Sequence, residues 1–125
     1  MFKDNEAFSG FSVNDIEKAK RFYGEVLGIA IDDNGMGLGL KIPGASVFIY
    51  PKDNHEPATF TVLNFKVGNI EDAVTALKGK NIALEHYDGL TDEDGIARGL
   101  SQNRGPDIAW FKDPAGNILS VLQES

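Results

Sequence analysis

The chain repeats one pattern, and that repetition limits its possible folds more than any other feature. Displaced by 54 positions, Phe11, Val13, Ile16, Glu17 and Ala19 fall on Phe65, Val67, Ile70, Glu71 and Ala73, each an identity. A little further on, at a displacement of 53, Gly28-Ile29-Ala30-Ile31 falls on Asn81-Ile82-Ala83-Leu84, so one residue has been lost between the copies. Self-similarity at a fixed spacing means one supersecondary unit built twice. It predicts two halves whose elements recur in the same order.

Each copy opens on an alternating run, Phe8 to Val13 and Phe60 to Val67, whose period of two marks a strand with two different faces. A helix follows. In the first copy Asn14 is the expected N-cap, with Glu17 three residues later, and Ile16, Ala19, Phe22, Tyr23 and Val26 form an apolar stripe that stops at Gly28. In the second, Asn69 caps and Ile70, Ala73, Val74 and Leu77 form the stripe, with Gly79 near the stop. Short strands are then expected over 29–32, 37–42 and 46–50, and again over 82–87, 108–111 and 118–123. Turns at Asp33-Asn34-Gly35, Pro43-Gly44 and Asp113-Pro114-Ala115-Gly116-Asn117 punctuate them. The result is an α+β chain of two tandem βαβββ modules forming a curved mixed sheet. It is read as a single domain with module one at 1–50, a linker at 51–59 and module two at 60–125.

Parity assigns the faces. Phe11, Val13, Phe65 and Val67 share the side that meets the helices, which leaves Phe8, Gly10 and Ser12 in one copy and Phe60, Val62, Asn64 and Lys66 in the other on the opposite side, lining a cup. If the last hairpin pairs in simple antiparallel register, Phe111 and Ala109 join Ile118 and Ser120 there, while Trp110 faces the helices; a bulge would reverse that. Aromatic residues mixed with a few polar ones are what a small-molecule site usually contains. Gly35, Gly37 and Gly39 alternate with Met36, Leu38 and Leu40, so they share one strand face and create room above it rather than forming a phosphate-cradling turn.

Composition excludes several classes of function. With a formal charge of −7, a pI near 4.7 and no dense basic stripe, the chain is not expected to bind nucleic acid. No cysteine is present, so disulfides, thiolate metal sites and cysteine nucleophiles are ruled out. No apolar run approaches the roughly 20 residues of a membrane span, and residues 1–6 lack the features of a signal peptide, so the expected location is cytoplasmic with no membrane partner.

Two motifs carry a family likeness. Phe22-Tyr23-Gly24-Glu25-Val26-Leu27-Gly28 resembles the "FY…LG" helix ending of the vicinal oxygen chelate superfamily, which includes glyoxalase I, bleomycin resistance proteins and extradiol dioxygenases. Phe111-Lys112-Asp113-Pro114-Ala115-Gly116-Asn117-Ile118-Leu119 resembles that superfamily's "F-x-DP-x-GN-x-[IL]" hairpin. With the paired modules, the resemblance spans essentially the whole chain. It implies a glyoxalase/bleomycin resistance/dioxygenase-like fold and, commonly, homodimers that sometimes exchange modules. In most enzymes of the superfamily it also implies a divalent ion held on strands of both modules. The ligand positions implied here are Phe8 and Val62, seven residues before Asp15 and Asn69. The others are Ser120, three after the Asn of the hairpin, and Phe48 or Tyr50 in the first copy. None offers the imidazole or carboxylate that such ions require. No metal and no other cofactor is therefore expected.

The remaining titratable groups offer little. His55 lies in the linker and reads as solvated; His86 follows Glu85 on a strand, where neighbours point to opposite faces, so the two cannot ligate one ion. Asp92-Glu93-Asp94-Gly95 lacks the ligand alternation of a calcium loop and reads as a solvated loop. Residues 88–106 are long for a connection and read either as a lid or as a plain loop. The favoured function is a metal-independent protein that binds, and so sequesters, a small cationic or aromatic organic molecule through Phe8, Ser12, Phe48, Tyr50, Phe60, Val62, Asn64, Phe111 and Ser120, with no catalytic residue. The alternatives are a metal-independent lyase- or isomerase-like enzyme using His86, Glu85 or Asp107, or an interaction module with an empty cup.

Overall fold

The computed structural model describes every residue, Met1–Ser125. The chain divides into two compact units, Met1–Pro57 and Ala58–Ser125, each built on its own four-stranded mixed sheet.

In the first unit the chain runs through β1 (Ser9–Val13), α1 (Ile16–Lys20), β2 (Ala30–Asp33), β3 (Leu38–Ile42) and β4 (Ala45–Pro51). The strand order is β1-β4-β3-β2, with β1 and β4 parallel and the other pairs antiparallel. Alternation works as the sequence predicts. Phe11, Val13, Leu38, Leu40, Val47 and Ile49 are buried on one face, together with Ala19, Phe22 and Tyr23. Removing each of the larger side chains from water contributes about 1.5–3 kcal/mol before entropy is counted. α1 widens after Lys20 into a π-helical turn, Arg21–Val26, where Leu27 N–H reaches back to Phe22 O at 2.9 Å. Phe22 and Tyr23, adjacent in sequence, both enter the core and meet edge to face at 5.1 Å. The N-cap is Asp15 rather than Asn14: Asp15 is the extended residue, and its Oδ1 accepts from Lys18 N–H at 3.1 Å. Asn14 stands one residue too early for that bond.

The second unit contains β5 (Thr61–Lys66), α2 (Ile70–Gly79), β6 (Ile96–Ala97), β7 (Asp107–Lys112) and β8 (Ile118–Gln123) in the order β5-β8-β7-β6. Asn69 caps α2 as predicted, accepting from Asp72 N–H at 3.0 Å, and Gln123 Oε1 on β8 accepts from Ile70 N–H at 2.9 Å. Two helix-start donors are thereby satisfied. Ile70, Val74 and Leu77 are buried along with Ala109, Phe111, Leu119 and Val121 of the two central strands, against which α2 packs. The helix runs through Gly79, and the left-handed residue that ends it is Asn81, at φ +61°.

Three further expectations are corrected in this unit. The strand expected over 82–87 is reduced to a bridge from Leu84 to Phe111 and one bond from Glu85 N–H to Trp110 O at 2.8 Å. β6 takes the rest of that edge, pairing Ile96 with Ala109 and Ala97 with Ile108, so two short segments share the outer edge of β7. The segment read as a lid or plain loop is thus partly sheet and partly core, with Gly95, Ile96 and Ala97 buried. The last hairpin also pairs differently. Lys112 faces Ile118 across the five residues Asp113–Asn117, so residues of like parity meet: Phe111 with Leu119 and Trp110 with Ser120. An odd count in the loop places Phe111 on the helix side and Trp110 on the open side, the reverse of the expectation.

Candidate functional site

The open face of the first unit is a grid fixed by strand register. One row across the strands reads Gly10, Phe48, Gly39 and Asp32; beside it Ser46 stands next to Lys41, and Ser12 next to Tyr50. Phe8, just before β1 and 72% exposed, meets Phe48 edge to face at 6.5 Å. Around these lies an open groove of ≈ 1030 Å³, lined among others by Glu6, Phe8, Asp32, Gly39, Lys41 and Phe48.

The glycines of β3 and the turn before it differ in their reasons. A Cβ on Gly37 would strike Phe48 Cζ at 2.5 Å and the Ile49 carbonyl, so Gly37 is required for the Phe48 ring to lie where it does. A Cβ on Gly39 would find nothing nearer than Asp32 Cβ at 3.6 Å, an ordinary contact, and its φ is not in the left-handed region. Glycine inside a strand costs roughly 0.5–1 kcal/mol against alanine, and here neither backbone nor packing requires it. A glycine inside a strand is found at bulges, at bends and where a ligand or another backbone comes close, and no bulge interrupts the pairing of β3 with β2 or β4 here.

The charges around the groove are unevenly committed. Asp33 is spent: it accepts from Gly35 N–H and pairs with Lys20 at 3.1 Å, and those contacts, the Gly35 N–H foremost, hold its carboxyl below the usual range. Glu6, Asp32 and Lys41 take part in none of the ion pairs of the chain. Further along the face, Ser12 Oγ lies 2.6 Å from His55 Nδ1. The linker histidine, expected to be solvated, is half-buried and docked on β1, and Lys52 N–H bonds Val13 O at 2.9 Å beside it.

In the second unit the predicted residues separate. Phe111 is 1% exposed, packed behind the sheet, and takes no part in an open-face site. Ser120 and Asn64 share the open face and are bonded at 2.5 Å, but Ser120 is fully buried. Its cover is Trp110. Starting beside Ser120 on β7, the indole crosses β8 to donate to Thr61 Oγ1 on β5 at 3.1 Å, and Tyr87 packs edge-on against it at 5.4 Å. Val62 sits in a register shift of β5 between Thr61 and Leu63, so Thr61 takes the open-face place beside Ile118. Phe60 stands 68% exposed just before the strand. Trp110, Thr61 and Tyr87 were missed by the sequence reading; the odd residue count of the final hairpin was the one signal available for Trp110.

The groups proposed for acid-base chemistry do not converge. Glu85 pairs with Lys112 at 3.3 Å and His86 is exposed. Asp107 is on the helix side, accepting from Leu100 N–H at 3.0 Å and lying 3.7 Å from Arg98 Nη1. Nor does a metal fit. The positions that the superfamily likeness points to hold Phe8, Phe48 or Tyr50, Val62 with Thr61 beside it, and Ser120, and nowhere do three His, Asp or Glu side chains gather to hold an ion.

No protein-family model matches the sequence, and no curated protein matches it. Solved structures do. The chain is similar to a glyoxalase/dioxygenase from Nostoc punctiforme (TM-score 0.69, 16% identity, 99% of this chain and 94% of that one). It is similar to a glyoxalase/bleomycin resistance protein/dioxygenase from Alicyclobacillus acidocaldarius (TM-score 0.66, 17% identity, 99% and 95%). A glyoxalase family protein from Enterococcus faecalis gives a TM-score of 0.64 at 21% identity over 98% and 99%. At these identities the likeness establishes the fold alone: this is an α+β chain of tandem modules folded like these glyoxalase/dioxygenase-type structures.

Proposed function

We propose that the protein binds a small organic molecule with an aromatic part on the open face of its first unit, holding it without a metal and without converting it. The observation that carries this reading is the groove itself. It has an aromatic pair, Phe8 and Phe48, a bare backbone floor at Gly39 and uncommitted charges, while the metal-ligand positions of the fold hold apolar or hydroxyl side chains. Groups so arranged bind well and have little with which to polarise a bond. One similar structure carries the composite name glyoxalase/bleomycin resistance protein/dioxygenase, which covers binding and enzymatic roles alike.

The test is a thermal-shift panel of aromatic amines, antibiotics and thiol conjugates, with each mixture afterwards analysed for product by mass spectrometry. A ligand present at a hundred times its Kd adds about 2.7 kcal/mol of stability, an easily read shift. Stabilisation with the ligand recovered intact is the expected result; turnover would overturn the reading.

A second reading, a metal-independent enzyme, has one observation in its favour, the contact between Ser12 and His55. A hydroxyl held 2.6 Å from an imidazole is the arrangement of a nucleophile and its base. The pair is not part of the lining of the groove at Gly39, and the contact also docks the linker on β1, so the binding reading is preferred. Turnover abolished by Ser12→Ala and by His55→Gln alike would favour the enzyme.

A further inference from the structure

The grid around Gly39 says more about the bound molecule than that it is aromatic. On the reading that the groove binds a ligand, we propose that its occupant is a small amphoteric aromatic compound, one bearing an ammonium group and a carboxylate beside a flat ring. Three features of the face converge on this chemistry. The floor at Gly39 is open backbone that a Cβ could fill without a clash, so the space above it is kept for something flat that comes from outside the chain. Phe48 flanks Gly39 on β4, and Phe8 meets it edge to face, an arrangement that leaves an aromatic wall beside that floor.

The charges supply the rest. Asp32 stands directly across from Gly39 on β2, and Lys41 two residues along β3 on the same face. Diagonal neighbours on a sheet lie within reach of long side chains. Yet Asp32 and Lys41 form no ion pair with each other or with any other group, and Glu6 at the rim is equally uncommitted. A carboxylate and an ammonium on two sides of one bare floor are complementary to a ligand that carries both charges. A purely cationic ligand would meet Lys41 as a repulsion and a purely anionic one would meet Asp32 and Glu6. The amphoteric molecule uses every charge present.

Three indole probes separate the contributions: L-tryptophan carries both charges, tryptamine lacks the carboxylate and indole-3-acetate lacks the ammonium. Calorimetric titration of the full chain should give the tightest binding for L-tryptophan, with the other two weaker by about fivefold each, the size of one exposed charge contact. Asp32→Asn should cost L-tryptophan and tryptamine that factor and leave indole-3-acetate unharmed; Lys41→Met should do the converse. Gly39→Val, which fills the floor while keeping a strand-forming residue, should abolish binding of all three, and its unchanged circular dichroism and melting temperature would show that the fold survives. Equal affinity for tryptamine and L-tryptophan with no effect of Lys41→Met would overturn the amphoteric assignment. Binding that ignores Gly39→Val but is lost in Trp110→Ala would place the ligand on the second unit, sinking this inference while small-molecule binding itself stands. Absence of binding by all three probes, alongside ligands of another class from the thermal-shift panel, would likewise defeat the amphoteric class alone.

Discussion

A single side chain decides more at the turns and caps of this protein than in its strands. Asp113 is the clearest case: buried, it accepts from Ala115 N–H, Asn117 N–H and Asn117 Nδ2, and so shapes the hairpin whose length sets the register of β7 against β8. That register buries Phe111, whereas Phe8, just before β1 in the first unit, stands in the open. Phe111→Ala should therefore cost about 3–5 kcal/mol in urea unfolding, the usual loss for an emptied aromatic core site. Phe8→Ala should change stability by less than about 0.5 kcal/mol while weakening ligand binding. The caps offer a sharper comparison. Asp15→Ala and Asn69→Ala should each destabilise by about 1 kcal/mol, and Asn14→Ala should be neutral, which urea midpoints for the three variants would check. The chemistry of a cap was legible in the sequence. Its position, where two cap-forming residues stand side by side, was settled by which of them takes the extended backbone.

Among the elements, the segment between Leu84 and Asp107 departs most from its counterpart in the first copy. It is clipped rather than loose. Arg98 reaches Asp92 at 3.1 Å, Glu71 on α2 at 3.2 Å and Asp107 at the start of β7 at 3.7 Å, while Asp92 Oδ1 accepts from Ile96 N–H at 3.0 Å. For Asp92, burial pushes the carboxyl upward, but the N–H of Ile96 and the Arg98 guanidinium outweigh it and the group titrates below its usual 3.8. A carboxylate depressed in the folded state stabilises fully above its unfolded value and loses that contribution as pH falls through the folded one. Urea midpoints should accordingly drop as pH falls from about 5 to about 2, and drop less in Asp92→Asn, which has no charge to lose at that position. An equal fall in both proteins would show that Asp92 does not act this way. Spacing and turn residues showed a long connection here, but the ion pair that fastens it to α2 joins residues 98 and 71, far apart in the chain.

For the molecule as a whole, the repeat was the strongest signal, and the backbone bears it out at a telling place. The offset that aligns the copies puts Gly28 on Asn81, and these are the residues at φ +74° and +61° that end the two helices. Function at this scale rests on donors. With no gathering of His, Asp or Glu able to hold an ion, chelation by EDTA should leave the melting temperature and ligand affinity unchanged, and metal analysis of untagged protein should find less than stoichiometric Mn, Fe, Ni or Zn. A melting temperature that falls with EDTA and recovers with one of these metals would contradict this. By itself the sequence determined the duplication, the strand-helix opening of each copy and the helix-facing side of the leading strands, because period and punctuation are local properties of a chain. Only the tertiary structure decided that Trp110 rather than Phe111 lies on the open face, that His55 meets Ser12, and that Gly39 is bare without need. Those facts depend on register and on contacts across strands, where one residue more or less in a loop turns every side chain to the other face.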